Sequence, residues 1–138
     1  MVAMTCTVIL IFIASFHFYW GFGGKLGMGV AVPQRSSGEP LFKPSTAASH
    51  LIGLALLAAA LCVLACSGFV LLPVPPRAIH LIVTLLAVIF TGRALGWFRY
   101  AGFFKKMRNT RFGKYDTWFY CPLCLFLGLG LFRVVAES

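Results

Sequence analysis

The chain has 138 residues, 60% of them hydrophobic and only 11% charged, with a formal net charge of +9. A soluble domain is nearer half apolar and a quarter charged. A soluble core of this size cannot hide four long apolar stretches, so the composition excludes an ordinary globular enzyme and points to an integral membrane protein.

The first stretch, Val2–Phe22, carries no charge. A bilayer core needs about 20 apolar residues per helix. No Lys or Arg precedes this stretch and no small-x-small site follows it, so it reads as a retained span and not a signal peptide. It ends in His17-Phe-Tyr-Trp20, followed by Gly21, Gly23 and Gly24. Tyr and Trp favour membrane interfaces, so this aromatic group marks the boundary. The glycines lack Walker or GxGxxG spacing, which argues against a nucleotide loop. Pro33, Pro40 and Pro44, with Ser36-Ser37-Gly38, mark the loop of residues 23–46 as irregular.

The second span, expected over residues 49–72, has small residues Ala55, Ala59, Cys62 and Cys66 at helical spacing, a seam for close helix packing. Leu72-Pro-Val-Pro-Pro76 should end it abruptly and make the next helix an antiparallel neighbour. The third span, residues 78–98, holds His80 near one end and Arg93 near the other. Arg93, Gly96, Trp97 and Tyr100 share one helical face. Residues 99–116 then interleave Phe103, Phe104, Met107 and Phe112 with basic residues. They read either as a short helix lying on the leaflet or as an ordinary basic loop, with Arg99, Lys105, Lys106 and Arg108 set toward lipid.

The fourth span, residues 117–136, is the shortest in uncharged length, and Arg133 must snorkel for it to cross. Its expected start is Asp116 as N-cap, with a kink at Pro122. Asp116, Tyr120, Cys124 and Gly128 would then lie on one face.

Basic residues are unevenly shared. Lys25, Arg35 and Lys43 in the first loop and Arg99, Lys105, Lys106, Arg108, Arg111 and Lys114 in the other make nine, against Arg77 and Arg133 on the far side. The positive-inside rule then puts both longer loops in the cytoplasm and both termini outside. The same bias accounts for the net charge without nucleic acid. The five cysteines are odd in number and mostly within spans, so a disulfide framework is not expected. The histidines have no metal-ligand spacing, and no metal or cofactor is expected. The first three spans contain no Asp or Glu, which argues against a proton-coupled multidrug exporter that depends on an intramembrane carboxylate.

Two features can carry chemistry. Arg93 inside a span costs about 2.5–3.5 kcal/mol on insertion scales and needs a partner. Asp116 sits at the same membrane level, so an Arg93–Asp116 ion pair is expected, with His17, Trp20, Trp97 and Tyr120 gathered around it in one polar mouth. Cys121-Pro-Leu-Cys124 is a CxxC at a helix start, which supports an alternative reading as a thiol–disulfide or quinone oxidoreductase.

Taken together, His17-Phe-Tyr-Trp20 with Gly23-Gly24, Glu39-Pro-Leu-Phe42-Lys-Pro44, Arg93-Ala-Leu-Gly-Trp-Phe-Arg99, Gly102-Phe-Phe-Lys105 and Asp116-Thr-Trp-Phe-Tyr-Cys-Pro-Leu-Cys124 form a set. That set is similar to the short bacterial membrane proteins catalogued as domain of unknown function 3995. The resemblance covers nearly the whole chain and implies a four-helix inner-membrane protein. It implies no activity. The expectation is therefore one all-α domain over residues 1–138, a four-helix transmembrane bundle without enzymatic activity. Its mouth at the cytoplasmic face would bind an anionic lipid headgroup or amphipathic molecule through His17, Trp20, Arg93, Trp97, Asp116 and Tyr120, or dock a membrane protein. A structural accessory subunit packed through the Ala55–Cys66 seam is the remaining alternative.

Overall fold

The computed structural model describes residues 1–96 and 99–138. In chain order its helices are α1 (Val2–Gly21), the short α2 (Met28–Ala31), α3 (Thr46–Cys66), α4 (Pro76–Leu95), α5 (Arg111–Tyr115) and α6 (Cys121–Glu137). A π-helical turn, Asp116–Tyr120, joins α5 to α6 without a break. Four helices are therefore long and apolar enough to cross a membrane: α1, α3, α4 and the composite Arg111–Glu137. No strand forms among the described residues beyond an isolated bridge between Gln34 and Pro40. The protein is an all-α, multi-pass membrane bundle, as the apolar stretches require, because lipid offers no partner to an unpaired backbone.

Two spans differ in extent from the sequence expectation. The second begins at Thr46, where the Ser45 hydroxyl accepts the Ala48 amide at 3.1 Å. It stops at Cys66, well before Leu72. Gly68 takes φ 75°, and the amides of Gly68 and Phe69 donate to Ala65 and Leu64. This Schellman-type stop, with the left-handed residue that glycine supplies most cheaply, ends the helix before the prolines do. The fourth span begins at Arg111, not Asp116. Thr110 is the cap, accepting the Gly113 amide at 2.9 Å. The composite helix has 27 residues, which removes the apparent shortage of length.

Pro122 follows an irregular turn of this helix. It has no amide to donate, and its ring crowds the carbonyl four residues back. The chain accommodates it with the π turn, in which the Cys121 amide donates to the Asp116 carbonyl. Widening the turn changes which residues share a face. Asp116, Cys121 and Gly128 are buried, while Tyr120 and Cys124 are only half-buried. Asp116 is thus inside the helix, and its side chain is free to act laterally.

The most extensive contacts are α1 with α3 and α4 with α6, and these two antiparallel pairs close around a core of Cys6, Leu10, Val63, Val83, Leu127 and Leu131. Lipid is as apolar as the core, so close packing must hold the helices together. Glycines supply it. A Cβ at Gly130 would lie 2.7 Å from Cys6 Sγ, and one at Gly53 would lie 3.0 Å from the Phe18 ring. The Gly53–Phe18 contact fixes the rotation of α3. Its buried seam is Ser49, Gly53, Ala59, Ala60 and Val63, and Ala55 of the expected seam faces outward. Both long loops, of residues 22–45 and, among the described residues, 99–110, lie at one end, hereafter the basic end.

Gly128 packs on α4 so closely that a Cβ would overlap Thr91 Oγ1 and lie 3.1 Å from the Ala87 carbonyl. Gly128→Val is expected to cost about 1–3 kcal/mol by overpacking. Thermal unfolding in detergent should show a clear fall in midpoint. The neighbouring exposed Leu129→Val should change it little. Equal midpoints for both variants would contradict the α4–α6 contact.

Candidate functional site

At the basic end, α4 and the composite helix enclose a charge cluster. Asp116 is fully buried and engages four donors. Arg93 Nη2 donates to Oδ1 at 2.7 Å. The Gly102 amide donates to Oδ2 at 2.8 Å, Lys105 Nζ lies 3.1 Å from the same oxygen, and the Cys121 thiol donates to it at 3.3 Å. The ion pair expected between Arg93 and Asp116 is present. Lys105, whose side chain is fully buried, makes it a triad. Lys105 Nζ also donates to the Gly102 carbonyl at 3.2 Å and to the Thr117 hydroxyl.

The loop after α4 is built to reach this carboxylate. Its backbone folds back on the helix end, with the Phe103 amide donating to the Ala94 carbonyl at 2.8 Å. Gly102 crosses Gly96 so tightly that a Cβ there would overlap the Gly96 backbone, and its φ is +97°. Only glycine meets both conditions. Arg108 closes the loop by donating to the carbonyls of Phe103 (2.9 Å) and Lys105 (3.2 Å). The segment from Arg99 to Thr110 is therefore a fold-back cap, not a helix lying on the leaflet. Lys105 is correspondingly not set toward lipid. It points inward because a buried carboxylate needs more than one cation to offset its lost hydration. Arg99, Lys106 and Arg108 are exposed.

A second feature lies between α1 and α3. A partly open cavity of about 400 Å³ runs beneath the first loop, lined by His17, Trp20, Phe42, Lys43, Ser45 and Ser49 among others. Most of its wall is apolar. Trp20 does two jobs here. Its ring meets that of His17 edge-on at 5.3 Å, and its Nε1 donates to the Leu26 carbonyl at 2.8 Å, pinning the loop over the cavity.

The single polar mouth expected from the sequence is thus two places. Arg93 and Asp116 meet each other, with Tyr120 close by, stacked on Phe112 at 5.9 Å. His17 and Trp20 line the separate cavity. The spans pair as α1 with α3 and α4 with α6, which puts His17 and Asp116 in different pairs. Trp97 falls outside the described residues. The two places touch through the loops, where the Gln34 side chain accepts the Phe112 amide at 3.3 Å. Sequence reasoning missed Lys43, Ser45 and Ser49 as cavity residues. Ser45 carried a signal, since Ser before a helical run is an N-cap candidate. No group of three or more His, Cys, Asp or Glu able to hold a metal occurs among the described residues.

The family model described as "Protein of unknown function (DUF3995)" matches residues 10–131. The chain belongs to this family. No curated protein and no solved structure matches it. The DUF3995 match starts within α1 and ends within α6, so it takes in both the Asp116 cluster and the cavity.

Removing the charge of Asp116 leaves Lys105 and Arg93 unpaired in the bundle. Asp116→Asn is expected to destabilise this DUF3995 protein by about 3–5 kcal/mol, the usual cost of breaking a buried pair. Adding Lys105→Met should recover part of that loss. A simple swap, Arg93→Asp with Asp116→Arg, should not rescue, because the new guanidinium would face Lys105. Unfolding in detergent checks all three, and full rescue by the swap would contradict the triad.

Proposed function

We propose that this protein is a non-enzymatic membrane protein that holds an amphipathic molecule in the cavity between α1 and α3. The observation carrying this reading is the cavity itself. At about 400 Å³ it falls in the range of small-molecule sites, and it combines apolar and aromatic walls with Lys43 and His17. An amphiphile is the ligand class that meets both kinds of surface at once.

The Asp116 cluster supports a different role. Its carboxylate already has four donors, so it has little left to offer a ligand. We assign Arg93 and Asp116 to holding the second helix pair and its loop in place, with Tyr120 packing beside them. Cys121 spends its thiol on Asp116, which gives the first cysteine of the CxxC a structural partner.

The basic end is proposed to face the cytoplasm. The excess of Lys and Arg there supports this orientation, and exposed Arg99, Lys106 and Arg108 would meet anionic lipid. In a bacterial host, alkaline phosphatase fused after Ser138 is then expected to be active and a green fluorescent protein fusion dark. The opposite pattern would invert the orientation.

Ala48 lines the cavity, whereas Ala55 on the same helix faces outward. Ala48→Trp should plug the cavity and weaken binding of a dansyl-labelled fatty acid about tenfold, or about 1.4 kcal/mol. Ala55→Trp should leave it unchanged. Saturable binding with equal affinity in both variants would place the ligand elsewhere.

A further inference from the structure

Two close contacts fix the antiparallel register of the helices that bound the cavity. A Cβ at Gly21 would lie 2.7 Å from the His50 ring, and one at Gly53 would lie 3.0 Å from the Phe18 ring. Continued along both helices, that register sets Trp20 level with Leu51 and His17 level with Leu54, beyond Ile52. Among the α1 and α3 residues that line the cavity, His17 is therefore the farthest from the basic end. Lys43 belongs to the other end, in the loop ahead of the Ser45 cap of α3. From that cap to the level of Leu54, α3 rises by about 13 Å. Between lie Trp20, Ala48 and Ile52, with Ser49 the one polar residue among them, and Met28, Ala31 and Val32 add further apolar wall.

The cavity is thus polar at both ends, and the ends differ in chemistry. Lys43 is the only fixed charge among the lining residues. It is exposed, so an anion can meet it without losing all its water. His17 is half-buried, its ring meets that of Trp20 edge-on, and neither ring nitrogen has a hydrogen-bond partner among the described residues. An uncharged imidazole has one donor and one acceptor, and a hydroxyl, which both gives and takes a hydrogen bond, can pair with either nitrogen. A carboxylate at this depth would give up its hydration with no fixed cation on α1 or α3 to replace it. The charge of a guest therefore belongs beside Lys43, and an uncharged polar group beside His17.

We infer that the occupant is an elongated apolar molecule that is polar at both ends. An anionic group meets Lys43, the apolar body lies along Trp20, Ala48 and Ile52, and a hydroxyl at the far end hydrogen-bonds His17. A fatty acid hydroxylated at its terminal carbon is the simplest member of this class. This inference rests on the amphiphile reading above and adds the second polar group and the direction in which the molecule lies.

Displacement of the dansyl-labelled fatty acid from the full chain in phosphatidylcholine nanodiscs tests it, with dodecanoate, 12-hydroxydodecanoate, dodecanedioate and dodecanol as competitors. The hydroxy acid is expected to bind about threefold more tightly than dodecanoate. In His17→Phe the order should reverse, because a hydroxyl without a partner among apolar groups weakens binding. His17→Gln, which keeps a donor and an acceptor, should preserve the order. Lys43→Gln should weaken dodecanoate and the hydroxy acid about threefold and leave dodecanol unchanged. Dodecanedioate should bind less tightly than the hydroxy acid. Equal or tighter binding of dodecanoate by the unaltered chain, or an order that His17→Phe leaves in place, would overturn the far-end assignment and leave the amphiphile reading standing. An equal effect of Lys43→Gln on dodecanol would remove the anion from the proposal. Dodecanedioate binding as tightly as the hydroxy acid would overturn the uncharged far end. No saturable binding of the probe or of any competitor would remove the parent reading as well.

Discussion

The α4–α6 side of the basic end depends on keeping one carboxylate charged where water is scarce. Asp116 is fully buried, and an ion in that position is tolerable only when its lone pairs are met. Four donors from three segments converge on it: Arg93 from α4, Gly102 and Lys105 from the fold-back loop, and Cys121 from the start of α6. That convergence dictates the local backbone. Gly96 and Gly102 cross because the Gly102 amide must reach Oδ2. The π turn exists because Pro122 follows, and it lets Asp116 and Cys121 meet. Arg93 Nη1 remains without a partner among the described residues, so the cluster holds its loop without using every donor.

This constraint divides the bundle by task. The α4–α6 side is pinned by charge and by Gly128. The α1–α3 side leaves a cavity under a loop that is held by only a few directional bonds, chiefly those of Trp20 and Tyr19. The Gln34–Phe112 hydrogen bond and the contact of α2 with α5 are where the two sides meet.

The number of spans, the all-α class and the Arg93–Asp116 pair were legible in the chain because each follows from a local cost: unpaired backbone in lipid, or an unpaired cation in a helix. Lys105 was not legible. A lysine among other basic residues in a loop looks solvated, and only the tertiary return of that loop shows that a second cation is needed. The start of the fourth span was hidden by the charges of Arg111 and Lys114, which mask a helix that begins in polar surroundings. The split between the cavity and the charge cluster was hidden for a different reason. Residues such as His17 and Asp116 share a membrane level in one dimension, yet helix pairing separates them in the other two.

The distance along the chain between Arg93 and Asp116 has a meaning for biogenesis. Arg93 is synthesised 23 residues before the carboxylate that neutralises it. While α4 is the newest helix to emerge, its guanidinium has no intramolecular counter-ion, and leaving it so at depth costs about 2.5–3.5 kcal/mol. Lys105, which follows next, adds a second cation before the anion appears. Arg93 and Lys105 are therefore both made before the carboxylate that meets them, and the cluster can close only once the last span is in place.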